Sequence, residues 1–314
     1  MPDYRALITG ILGFCGGHLR RHLAEQGYAV CGIDQRADLT DQRVPVYSAD
    51  IRDTAAIRDI LLMARPTHIF HLAALTTPQA DWETLFDVNV RGTGHLLDAV
   101  RLADLDPVVL IAGSSAAYGY VAMDELPISE LQPFRPTNVY AASKIAQEML
   151  AYTYYARYRL KLIRARAFNL TGPGEGPGFA ASAFAAQIAE IESGKREPVL
   201  RVGSLEAVRD FTDVRDAVHA YRLLAEQGEP GAVYNVCSER GTAIRYLLDR
   251  LLALSLVSDI TVQRDPVRLQ PADVPVQVGD ATRLRQTTGW TPAIPLEQTL
   301  QDVLDSWRRR SDKE

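Results

Sequence analysis

The sequence predicts an α/β protein, a doubly wound parallel sheet with a second, smaller α/β lobe, and three observations carry that prediction. Short β-rich runs alternate with longer helical patterns; the runs are nearly continuous in apolar residues; and a glycine- and proline-rich stretch, TGPGEGPGF (171–179), breaks the rhythm midway. Strands apolar on both faces belong to parallel sheets covered by helices on either side. The strand runs are YRALIT (4–9), YAVCGI (28–33), VPVYSA (44–49), HIFHLA (68–73), PVVLIAG (107–113), LKLIRARAF (160–168) and AVYNVC (232–237). Helical periodicity marks 14–26, 89–104, 139–158, 180–194, 213–227, 243–255 and 296–309. The 171–179 stretch reads as a loop leaving the sheet. Residues 1–170, with a return near 210–237, are therefore expected to form the main lobe, and 171–314 mainly the second.

Composition limits the classes of function. At 314 residues, 47% apolar and 23% charged, the chain can bury a large core. A formal charge of −5 gives no long-range attraction to nucleic acid or to a membrane surface, and Arg308, Arg309 and Arg310 read as a solvated tail. Cys15, Cys31 and Cys237 are widely spaced, with no C-x-x-C, so neither a disulfide framework nor a metal site is expected. There is no leader-like start and no apolar window long enough to span a bilayer, which fits a cytoplasmic location.

ITGILGFCGGHL places Gly10, Gly13 and Gly16 between the first strand and the first helix, a variant of the Rossmann fingerprint. Glycines let the backbone turn tightly and approach a pyrophosphate, which then lies at the positive end of the helix dipole. Asp34, eighteen residues after Gly16 at the end of the next strand, is placed to accept adenosine ribose hydroxyls. A carboxylate there repels a 2′-phosphate and favours NAD(H), whereas Arg36 leaves NADP(H) open; the plain alternative for Asp34 is a turn cap. Asp50 and Ile51 are expected to border the adenine, with Asp50 equally readable as the cap of the helix beginning DTAAIRDIL.

Tyr140 and Lys144 lie four apart on a helix, which stacks them on one face. An adjacent ammonium favours phenolate, so the pair is expected to be a proton donor and acceptor for a carbonyl or alcohol. Surface pairs with this spacing also arise by chance.

TGILGFCG, HLAA (71–74), NVRGT (89–93), GSSAAYG (113–119), YAASK (140–144) and RAFNLTGPG together resemble the extended short-chain dehydrogenases/reductases, over most of the first 175 residues. The resemblance implies that Ser114 hydrogen-bonds the reacting oxygen beside Tyr140. It implies that Lys144 also holds the nicotinamide ribose, and that Phe14, Leu72, Ala73, Ala74, Asn89 and Phe168 border the cofactor. The plain alternatives are a helix N-cap for Asn89 and core packing for Phe168. Dehydratases of this superfamily carry acids after the hydroxyl; Ser115, Ala116 and Ala117 carry none. That leaves ketone reduction or redox epimerisation, with a non-catalytic dinucleotide sensor as a remote alternative.

The second half, 178–221 above all, resembles GDP-4-dehydro-6-deoxy-D-mannose reductases and, less closely, GDP-mannose 4,6-dehydratases. By that resemblance the substrate is a GDP-hexose. Ser115 is expected to lie at the substrate, Asn169 and Arg209 to contact the diphosphate, and Asp273 to accept ribose hydroxyls. Gln270 stands where arginine is expected, with Arg268 as a substitute. The alternative for Arg209 is an ion pair with Asp210, Asp213 or Asp216. Relatives pair two long helices of each subunit across a two-fold axis, so a homodimer is expected by the same resemblance.

Overall fold

Alternation along the first strand sets the architecture. In β1 (Arg5–Thr9), Ala6 and Ile8 enter one core and Leu7 enters another, so the strand is buried on both faces. The computed structural model describes residues 4–36, 44–76, 80–266 and 274–311. After β1 come α1 (Phe14–Glu25), β2 (Ala29–Asp34), β3 (Val46–Ser48), α2 (Thr54–Ala64), β4 (His68–His71), α3 (Trp82–Phe86), α4 (Gly92–Leu102), β5 (Val108–Ser114), α5 (Val139–Tyr158) and β6 (Lys161–Ala167). The second half adds β7 (Asn169–Thr171), α6 (Ala180–Glu192), β8 (Val199–Val202), β9 (Val208–Asp213), α7 (Val214–Gln227), β10 (Val233–Val236), β11 (Gly241–Ala243), α8 (Ile244–Ala253), β12 (Thr261–Arg264), β13 (Val276–Gln277), α9 (Thr282–Thr288) and α10 (Leu296–Ser311).

The main sheet has seven parallel strands in the order β10-β6-β5-β4-β1-β2-β3. One face packs on α1 and α7 through Leu19, Leu23, Val218 and Leu224. The other packs on α2, α4 and α5 through Ile57, Ile60, Leu96, Val100 and Ala151. Strand order reverses beside β1, and that switch point opens a crevice at the carboxyl ends of the strands. As expected from the sequence, AVYNVC returns to this sheet, as β10 beside β6.

A third core joins α6, α8 and α10 through Ala185, Leu248 and Leu304. Around it lie a β11-β9-β13 sheet with β7 on β9, and a β12-β8 pair. These strands hold two to six residues and carry no readable period of their own.

Two helix starts differ from the sequence reading. The helix expected from residue 89 begins earlier, at α3, where the Asp81 carboxylate accepts the Thr84 amide (2.7 Å). It continues through a π-helical turn (Asp87–Arg91) into α4, so Asn89 is internal and not an N-cap. The cap of α2 is Asp53, accepting from Ala56 at 3.0 Å, and not Asp50. Among the described residues no helix is long and apolar enough to cross a membrane, and no group of three or more His, Cys, Asp or Glu could hold a metal.

Candidate active site

The turn between β1 and α1 is built around contacts too close for side chains. Gly10 has φ of 71°, and a Cβ there would lie 3.0 Å from the Ala73 backbone. At Gly16 a Cβ would lie 2.1 Å from the Gly10 carbonyl oxygen, and at Gly13 3.2 Å from the same atom. The turn is thus folded onto itself and against the chain leaving β4, a cradle that only backbone fills. Asp34 accepts a hydrogen bond from the Leu12 amide of this turn (3.1 Å) while staying partly exposed at the end of β2. Its turn-holding and ribose-binding readings therefore coexist. Phe14 opens α1, its ring edge-on to His18. These features fit a dinucleotide.

Leu72, Ala73 and Ala74 follow β4 directly. The Leu72 amide donates to the Thr9 carbonyl (3.2 Å) and the Ala73 amide to Thr9 Oγ1 (3.2 Å). Asn89, fully buried, holds the next residue at both ends: Oδ1 accepts from the Leu75 amide (2.8 Å) and Nδ2 donates to its carbonyl (3.0 Å). Asn89 thereby shapes the wall of the crevice. His71, not singled out in the sequence, lies between Thr9 Oγ1 and Thr93 Oγ1, each at 2.8 Å. Burial, with the Lys144 charge adding to it, lowers its pKa to about 3 and keeps it neutral. Ile51 has its side chain in the core against Gly92, and Asp50 is taken up by Arg52 (2.6 Å). Phe168 is also core, packed on Tyr118 and Gly279.

Ser114 ends β5 and its Oγ accepts the Ala116 amide (3.2 Å), capping the 3-10 turn Ser115–Tyr118. Its hydroxyl also hydrogen-bonds Tyr140. Tyr140 sits in the first turn of α5, whose N-cap is Asn138, accepting from Ala141 at 2.8 Å. Lys144, one turn on and buried, donates from Nζ to the Ala112 carbonyl (2.6 Å). The three predicted catalytic residues thus converge at the carboxyl end of β5. The expected priming of the phenol by the ammonium is corrected: burial raises the Tyr140 pKa, and the Ser114 hydrogen bond only partly opposes it. Burial likewise lowers Lys144 to about 8, against the opposing pull of Glu148. Both groups are pushed toward neutrality.

On the substrate side, Ser115 is buried and engaged: Gln277 of β13 donates to its carbonyl (2.9 Å), and its hydroxyl faces Gln277 Oε1 (3.4 Å). Gln277 pairs in register with Arg209 of β9, and Asn169 of β7 pairs with Phe211 two residues on. Arg209 donates to its own strand at the Val208 carbonyl (2.9 Å). The acids proposed as its alternative partners are committed elsewhere. Asp210 takes the amides of Ser238, Glu239 and Gly279; Asp213 takes Arg215 and Thr299; and Asp216 takes the amides of Ala293 and Ile294. Arg268, Gln270 and Asp273 lie outside the described residues.

A glycine-cradled crevice meeting a Ser, Tyr and Lys cluster is a family-level arrangement, and comparison with known proteins agrees. Residues 7–303 match the model of the GDP-mannose 4,6 dehydratase family. The chain belongs to that family. The GDP-6-deoxy-D-mannose reductase of Pseudomonas aeruginosa is 35% identical, over 99% of each chain. The structure of RMD from Pseudomonas aeruginosa complexed with NADPH superposes with a TM-score of 0.86 at 32% identity, covering 98% of this chain and 99% of that one. The UDP-glucose 4-epimerase of Thermus thermophilus in complex with NAD gives a TM-score of 0.84 at 28% identity, covering 97% of this chain and 99% of that one. GDP-mannose 4,6 dehydratase family membership places the chain among the extended short-chain dehydrogenase/reductase enzymes.

Two buried acids escaped the sequence reading, Glu148 in α5 and Glu175. Glu175, in the loop after β7, is 2% exposed and accepts from the Thr171 hydroxyl (2.8 Å). The same loop is tied to α1, where the His18 ring meets the Pro173 carbonyl (2.8 Å). Burial raises Glu175 from 4.5 to about 8. The folded state then binds one more proton than the unfolded chain between those values, and stability falls as pH rises across that window. Glu175→Gln, neutral throughout, is expected to melt above the parent at pH 8, with a gain on the order of 2–4 kcal/mol, and to lose that gain near pH 4.5. Gly16→Ala forces the turn apart; calorimetric titration with NAD(H) and NADP(H) is expected to show at least a roughly tenfold loss of affinity, each factor of ten being about 1.4 kcal/mol.

Proposed function

We propose that the protein reduces the 4-keto group of a nucleotide sugar with NAD(P)H, most specifically GDP-4-dehydro-6-deoxy-D-mannose to GDP-D-rhamnose. The observation that carries this reading is the Ser114, Tyr140 and Lys144 cluster with no ionisable side chain at 115–117, in a chain matched end to end by a GDP-6-deoxy-D-mannose reductase. Residues 1–170 with the 210–237 return hold the cofactor, and 171–314 serve mainly the substrate.

Gly10, Gly13 and Gly16 would hold the pyrophosphate, Asp34 the adenosine ribose, and Lys144 the nicotinamide ribose. When bound, the reduced nicotinamide supplies the hydride. Tyr140 Oη gives its proton to the sugar C4 oxygen, and Ser114 Oγ orients that oxygen by a hydrogen bond. The raised pKa of Tyr140 suits this direction, since the phenol stays protonated through neutral pH. Arg209 and Asn169 receive the diphosphate. NAD(H) is favoured because the Asp34 carboxylate repels a 2′-phosphate, whereas exposed Arg36 keeps NADP(H) usable. The enzyme works in the cytoplasm without nucleic-acid or membrane partners. It acts as a homodimer, a reading supported by the exposed Trp82, Leu102, Met149, Tyr152 and Tyr158 along α3, α4 and α5.

The second reading, a nucleotide-sugar 4-epimerase, is supported by the 28% identity to an NAD-bound epimerase and by Asp34. Incubation with GDP-4-keto-6-deoxymannose decides: the reductase consumes NADH or NADPH stoichiometrically, faster with NADH. An epimerase retains NAD through purification and interconverts two sugars without reductant. Tyr140→Phe is expected to lower kcat by about 10²–10⁴ with cofactor affinity kept; turnover at the parental rate would overturn the assignment.

A further inference from the structure

The face of β6 beneath α5 carries charges where the rest of the sheet carries aliphatic side chains. Leu162 joins the apolar core on that side, but Arg164 and Arg166, next in the period of two, are 8% and 3% exposed. Both meet Glu148, which is 2% exposed: Arg166 Nη2 and Nε lie 2.6 and 2.8 Å from its two oxygens, and Arg164 Nη1 3.2 Å from one. Glu148 stands one helical turn beyond Lys144 on the same face of α5. Arg166 also donates to Tyr118 Oη (2.9 Å), at the end of the turn that Ser114 caps, and pairs in register with Gly113, the residue before Ser114.

We propose that Glu148 and Arg166 are positioning residues. Through one carboxylate clamp they set the spacing of Ser114 against Tyr140 and Lys144, and they set the electrostatic field in which Lys144 holds its proton. The clamp joins the strand end, the turn and the helix, the three elements that carry the cluster. Among the described residues, the charge acting on Lys144 is Glu148, one turn on along α5; His71 from β4 is neutral beside it, and Arg164 and Arg166 of β6 act on it through their hold on Glu148. Glu148 is the carboxylate that opposes the desolvation of its ammonium. The positioning role rests on the proposed use of Tyr140 and Lys144, but the field on Lys144 can be read without substrate.

The chain has four lysines, Lys144, Lys161, Lys195 and Lys313, so ¹³Cε-lysine NMR titration of the full-length protein, with and without NAD(H), resolves Lys144; Lys144→Arg assigns its signal. Glu148→Gln is expected to move the Lys144 titration to lower pH. Arg166→Met, which removes the charge offsetting the carboxylate, is expected to move it to higher pH, a pair of opposite shifts that general loosening of the fold does not produce. In the reductase assay Glu148→Gln is expected to lower kcat about tenfold or more, with KM nearly unchanged and the alkaline limb of the pH profile moved the same way as the NMR titration. Arg166→Lys keeps the charge, and is expected to hold the titration near the parental position while kcat falls from loss of the fork. It serves as the test should either other variant fail to fold. Parental titrations in both charge-changing variants, or shifts of the same sign, would overturn the inference. Absence of turnover in the parent would sink the proposed reaction and leave the titration result standing.

Discussion

A buried carboxylate shared by two guanidinium groups ties together the elements that carry the Ser114, Tyr140 and Lys144 cluster. Glu148, Arg164 and Arg166 occupy a sheet–helix interface that aliphatic side chains would fill with less desolvation. Arg164 Nε has no hydrogen-bond partner there, so the arrangement is not optimised for stability alone. Directionality is what the charges add. A bidentate fork fixes angle as well as distance, and Arg166 uses its remaining donor on Tyr118 and on the Glu130 carbonyl. From Tyr118 the chain of bonds continues to Asn235, which holds the carbonyls of Ile128 and Asp280. One polar chain therefore runs from beneath α5 to Asp280, just past β13, whose Gln277 holds the turn after Ser114.

Burial acts on the titratable groups around the crevice with a consistent result. It raises Tyr140 and Glu175, lowers Lys144 and His71, and so favours the uncharged form of each. A phenol in such surroundings keeps its proton until an oxygen that needs it arrives. The ammonium one turn away donates to the Ala112 carbonyl, so its effect on the phenol depends on what else enters the crevice. Sequence spacing can place Tyr140 and Lys144 together, but cannot predict which of burial and charge dominates.

The same distinction separates what is legible in the sequence from what is not. The seven strands of the main sheet and the glycine turn are readable because each is a local pattern: mostly apolar runs of three to seven residues, and three glycines at fixed spacing. The strands around the third core are not, since their pairing depends on partners distant in the chain, as in β7 on β9 or β13 on β9. LKLIRARAF reads as an apolar strand, and its alternating arginines are the available signal for the Glu148 clamp. Asn89 stands out in the sequence through its motif, but its work is to hold Leu75, a role set by tertiary contact. The part of the site expected at 268–273 lies outside the described residues, so its reading still rests on resemblance.

Membership of a family named for dehydration does not decide the reaction, because the scaffold and the elimination step are carried by different residues. The match over residues 7–303 spans the parallel sheet, the glycine cradle and the Ser114, Tyr140 and Lys144 cluster alike, and does not separate them from the residues an elimination needs. Loss of water needs, in addition, a proton delivered to a second oxygen on the sugar. The turn after Ser114 has nothing to deliver it: the Ser115 hydroxyl is turned to Gln277, and Ala116 and Ala117 have no polar side chain. Ala117 is 1% exposed, so even an acid at that position would have to emerge from the core to act. Glu175 is protonated at neutral pH but enclosed beneath its loop and held by Thr171. The cluster can thus manage one proton at one oxygen, which is the requirement of a ketone reduction and falls short of an elimination.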